Sequence, residues 1–142
     1  MSELSAAEAV ERARSRLGLD ARTPARAERV RRLDRPGESY YFVLFGADDA
    51  TSAVAAVEAA GGDVASSARL ASLAPHMGVG RERALELAGL GGGARAELVW
   101  LPCRATRSQL YPLWEVSAGG ARVFVDQQGN VLRRLDAGGP GG

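Results

Sequence analysis

The 142-residue chain contains no lysine, a single cysteine and a single histidine. Each absence removes a class of chemistry. Without lysine there is no side-chain amine to form a Schiff base, and all 18 basic side chains are arginines, which stay protonated. Cys103 alone cannot close an internal disulfide, and one cysteine with His76 cannot make up a structural zinc site. No stretch approaches the roughly 20 apolar residues that cross a bilayer. The opening residues Met1-Ser2-Glu3-Leu4 show no basic segment leading into an apolar one. These features predict a cytoplasmic protein without a membrane partner. With 17 acids against 18 bases the formal charge is +1, so no bulk field draws the chain to nucleic acid. A phosphate loop is missing too: Gly91-Gly92-Gly93 follows a helical pattern, not a strand, and lacks the lysine of a Walker loop. No cofactor is expected.

What the chain does contain is an internal repeat. Glu8-Ala9-Val10-Glu11-Arg12-Ala13 lines up with Arg83-Ala84-Leu85-Glu86-Leu87-Ala88, and Ala27-Glu28-Arg29-Val30-Arg31-Arg32-Leu33 with Ala96-Glu97-Leu98-Val99-Trp100-Leu101-Pro102. Further on, Tyr40-Tyr41-Phe42-Val43-Leu44-Phe45 meets Tyr111-Pro112-Leu113-Trp114-Glu115-Val116, and Val57-Glu58-Ala59-Ala60-Gly61-Gly62 meets Val125-Asp126-Gln127-Gln128-Gly129-Asn130. A period of roughly 70 residues is too long for a solenoid and suits two copies of one small unit. Each copy reads as a short helix followed by four strand-like segments. The expected fold class is α+β, with two tandem, pseudo-symmetric helix-plus-antiparallel-sheet units at 1–71 and 80–136, a linker at 72–79 and a disordered tail at 137–142. Copies of this size are individually marginal, which predicts that they pack together.

Local signals fill in the elements. Ser5-Ala6-Ala7-Glu8 has capping-box form, apolar Ala6, Val10, Ala13 and Leu17 follow at helical spacing, and Gly18 is placed to stop the helix. The second helix runs from Gly80 to Gly89. Residues 40–45 form an aromatic and β-branched run after the turn signal Arg35-Pro36-Gly37, which fits a buried strand. Val123-Phe124-Val125 leads through Gly129 to Val131-Leu132 as a hairpin. Residues 50–60 are ambiguous, since Asp49 before an alanine-rich stretch favours a capped helix while the repeat favours a strand. The strand is the reading adopted.

The residues Tyr111-Pro112-Leu113-Trp114-Glu115-Val116, with Val123-Phe124-Val125-Asp126 and Gly129-Asn130-Val131, resemble the PepSY family. The first copy matches through Tyr41-Phe42-Val43, Val57-Glu58 and Gly61-Gly62, and together the copies cover most of 5–135. The resemblance implies one helix laid on an antiparallel sheet in a cystatin-like manner, as in peptidase propeptides and proteins that bind or inhibit partners. It implies no catalytic residue.

Two groups of residues are candidates for binding. Arg29, Arg31 and Arg35, with Arg32 opposite, place guanidinium groups along one side of a strand, to grip carboxylate or phosphate or simply to keep a solvated strand from aggregating. Tyr40, Tyr41, Phe42, Trp100, Tyr111 and Trp114 fall in predicted strands, as core or as a face receiving a peptide or flat small molecule. His76, between Pro75 and Met77, and Cys103, beside Arg104, read as incidental. The expected function is a non-enzymatic binding or regulatory protein that recognises a peptide or protein segment through its sheet. The alternative is a small-molecule-binding protein, or small biosynthetic enzyme, with a pocket in a curled sheet drawing on Tyr111, Trp114, Glu115 and His76. That alternative requires Glu115 to point inward. A third reading is homo-oligomerisation through strand edges.

Overall fold

In a computed structural model the chain is α+β, with two helices and eight strands among the described residues. These are residues 3–47, 50–74, 76–103, 106 and 108–135. Asp49, Pro75, Arg104 and the expected tail at 137–142 lie outside them. The chain divides into two compact units, Met1–His76 and Met77–Gly142, the division falling within 72–79.

The first unit runs α1 (Ala6–Leu17), β1 (Ala25–Arg32), β2 (Ser39–Ala47), β3 (Ala50–Glu58) and β4 (Val64–Ala74). Its strands pair antiparallel in the order β4-β3-β2-β1. The start of α1 follows the sequence signal: the Glu8 N–H donates to the Ser5 hydroxyl at 3.2 Å, and the Ser5 N–H donates to the Glu8 carboxylate at 3.0 Å. Gly18 ends the helix in the left-handed conformation. The buried stripe of α1 is Ala9 and Ala13 with half-buried Val10 and Leu17, whereas Ala6 is exposed. Two small side chains four residues apart let the helix come close to the sheet, where Tyr41, Val43, Phe45, Ala53, Ala55 and Val57 complete the core.

β3 is a strand despite its alanine content. It is hydrogen-bonded to β2 on one side and β4 on the other, and tertiary pairing of this kind overrides the helix preference of alanine. β4 continues through Ala74, so the first three positions of the expected linker extend the sheet.

The second unit runs α2 (Arg81–Ala88), β5 (Arg95–Trp100), β6 (Leu113–Ala118), β7 (Ala121–Val125) and β8 (Val131–Leu132), again antiparallel and in sequence order. Gly80 caps α2 without a side-chain hydrogen bond, so the helix is placed by its surroundings. The Trp114 indole donates to the Val79 carbonyl at 2.7 Å. Gln127 accepts from the Val79 N–H at 3.1 Å and donates to the Pro112 carbonyl at 3.0 Å, tying the helix entry to the entry of β6. Between β7 and β8, Asp126 accepts from the backbone N–H groups of Gln128 and Asn130 at 3.0 and 2.8 Å, and Gly129 turns the chain at φ 91°. No described helix is long and apolar enough to cross a membrane.

Candidate functional site

The arginines of β1 are engaged within the first unit. Arg29 donates to Glu3 at 2.6 Å and to the Tyr41 hydroxyl at 3.3 Å, with its guanidinium 5.7 Å from the Tyr41 ring centroid. The hydrogen bond to Glu3 holds its pKa above the ordinary arginine value. Arg31 is an exposed residue of the same strand. Arg35 does not extend the row: β1 ends at Arg32, and Arg35 lies in the following turn, where its carbonyl accepts from the Glu38 N–H at 3.0 Å and its guanidinium is 3.9 Å from the Glu38 carboxylate. The turn residues Pro36 and Gly37 are what break the strand. Arg32 is 7 % exposed, bound to both oxygens of Asp34 at 3.1 and 2.8 Å and to Glu58 at 3.3 Å. The hydrogen bond from Arg32 holds the Asp34 carboxyl below the usual range. Neighbouring Tyr40 is fully buried, and that burial pushes its phenol well above its ordinary pKa. Arg29, Arg32 and Arg35 therefore meet carboxylates of their own chain instead of forming a continuous anion-gripping row.

The aromatic candidates are core. Tyr40, Tyr41, Phe42, Trp100 and Trp114 are all buried. Tyr111 is the departure, at 44 % exposure and ahead of β6. Its N–H closes a turn on the Ser108 carbonyl at 3.0 Å, and Pro112 has no N–H to give a strand ladder. The His76 ring lies 5.7 Å from that of Phe42, and Cys103 is buried with its N–H on the Thr106 carbonyl at 2.9 Å.

Glu115 points inward. It is 7 % exposed and, with Ser117, lines a cavity of about 450 Å³ in the second unit, completed by Arg81, Leu85 and residues 94–97. The register sets Glu97 opposite Glu115 and Arg95 opposite Ser117, so these four share one face of the sheet. Arg81, at the start of α2, donates to the Ala96 carbonyl at 2.9 Å and lies 5.2 Å from the Trp114 ring, which fixes its position. From β7, Arg122 reaches Glu115 at 3.7 Å, with its own side chain 62 % exposed. Among the described residues no cluster of three or more histidine, cysteine or acidic side chains could hold a metal.

Of the sequence candidates, Trp114 and Glu115 thus fall beside the cavity or in its wall, whereas Tyr111 does not line it and Arg29, Arg31 and Arg35 belong to the first unit. Arg81, Arg95, Glu97 and Ser117 escape sequence reading. Polar residues at 95 and 97, and at 115 and 117, alternate with period two and so share a face within each strand. What the sequence lacks is the register that sets those two faces side by side. In comparisons with protein-family models, with curated proteins and with solved structures, the chain matches none.

Proposed function

We propose that the chain is a non-enzymatic binding protein that takes a small polar ligand in the cavity of its second unit. The observation that carries this reading is the buried Glu115 in the wall of a cavity of about 450 Å³, beside two arginines and a serine. Ligand sites are concavities of roughly 300 to 1,000 Å³ in which a few fixed polar groups set orientation. The burial of the strand aromatics weighs against an open aromatic face as the recognition surface. The family resemblance and the helix-then-four-strands order of both units support a duplicated, cystatin-like PepSY origin for this body, and that origin supports binding over catalysis.

A second reading, recognition of a peptide segment by strand addition, is favoured by β4. This strand ends the order of its unit, runs 11 residues and carries one charge, Arg69, whose guanidinium is turned to the Leu17 carbonyl at the end of α1. Amide chemical shifts of the full chain, recorded against a library of small polar molecules and short peptides, separate the readings. The expected outcome is a cluster of shifts at Leu85, Ala96, Glu115 and Ser117. Shifts confined to residues 64–70 with peptides alone would replace the cavity with β4, and a library that perturbs neither would refute both.

A further inference from the structure

The cavity wall carries charge of both signs in a defined arrangement. Glu97 and Glu115 are directly opposed across β5 and β6, and residues so placed bring their Cβ atoms to within about 4.5 to 5.5 Å. Two carboxylates at that spacing repel each other, and Glu115 feels this in a buried setting where the surroundings screen poorly. A cation seated at both removes the repulsion. Arg122 meets Glu115 alone, at 3.7 Å, from a side chain that is mostly in solvent. An ion pair of that kind is worth little and is readily displaced.

The positive side of the cavity is separate. Arg81 is held by the Ala96 carbonyl and the Trp114 ring, which use one N–H and one face of a guanidinium that has five N–H donors. Arg95 projects from β5 as an exposed residue lining the same cavity. Guanidinium groups so placed suit a carboxylate. Leu85, Ala94 and Ala96 supply apolar surface between the charged groups.

We infer that the ligand is a zwitterion of amino-acid size, its ammonium group set at Glu97 and Glu115 and its carboxylate at Arg81 and Arg95. This rests on the cavity being the ligand site. The two charges of the ligand meet the two charges of the wall, and the site stays close to neutral when empty and when filled.

Calorimetric and amide-shift titrations of the full chain test this with ω-amino acids from glycine to 6-aminohexanoate, each compared with the alkylamine and the alkanoate of the same carbon number. A charge-assisted hydrogen bond contributes about 1.5 to 3 kcal/mol. The best ω-amino acid should therefore bind about ten-fold or more tightly than either single-charge analogue. Glu115→Gln should weaken the amino acid to the level of its alkanoate and leave the alkanoate unchanged. Arg95→Gln, at an exposed position where folding is not at stake, should weaken the alkanoate and the amino acid and spare the amine. Equal binding of an alkylamine or an alkanoate would overturn the zwitterion while keeping the cavity. If no probe shifts Leu85, Ala96 or Ser117 at millimolar concentration, the cavity reading falls and the zwitterion with it.

Discussion

A guanidinium taken out of water costs several kcal/mol unless carboxylates meet it, and Arg32 meets two. Asp34 takes it with both oxygens and Glu58 with one, from opposite sides of the chain's path through β1, β2 and β3. Because the native Asp34 pKa lies below its unfolded value of about 3.9, the unfolded chain binds the extra proton between the two values. Stability from this group is complete above the unfolded pKa and declines as pH falls through the native one. Asp34→Asn should lower stability at neutral pH by about 1 to 3 kcal/mol by leaving buried N–H groups short of acceptors. It should also flatten the acid limb, so that urea midpoints measured between about pH 2 and 5 vary less with pH than in the parent. An unchanged acid limb would mean that Asp34 titrates alike in both states. The burial of Arg32 could not be read from sequence, where it sits in a run of arginines and its second partner is 26 residues away.

At the scale of elements, what was legible is what chemistry fixes locally. Ser5 and Glu8 specify the start of α1 by satisfying each other's backbone donors, and Asp126 with Gly129 specifies the turn between β7 and β8. Neither needs a partner far along the chain. β3 was legible only through its likeness to a second segment, because its strand state comes from pairing on both sides. The cavity wall depends on β5 and β6 registering Glu97 against Glu115, a relation set by packing and absent from either segment alone. A related long-range demand falls on Gly46, where the β2–β3 ladder shifts register. Its φ is +105°, and a Cβ there would stand 2.5 Å from the Ala50 carbonyl oxygen. Gly46→Ala should destabilise by about 1 to 3 kcal/mol or more, read as a drop in urea midpoint with unchanged slope. A neutral result would show that the hairpin can relax around the added methyl group.

At the scale of the molecule, the question is what units of this size can sustain. The first unit, Met1–His76, owns a core made of Ala9, Ala13, Tyr41, Val43, Phe45, Ala53, Ala55, Val57 and Ala59, in which alanines outnumber large side chains. Small residues permit close helix-to-sheet approach, but each buries little apolar area, and buried area sets the hydrophobic return. Below about 70 to 80 residues a single core rarely supplies more than about 3 to 5 kcal/mol even with larger side chains. A fragment ending at His76 should therefore be marginal, with a urea midpoint well below that of the full chain and weak amide protection outside β2 and β3, the two strands paired on both sides within this unit. A fragment as stable as the whole would show that the alanine-rich core of α1, β2 and β3 is sufficient by itself. The second unit could then be studied alone as a ligand-binding body.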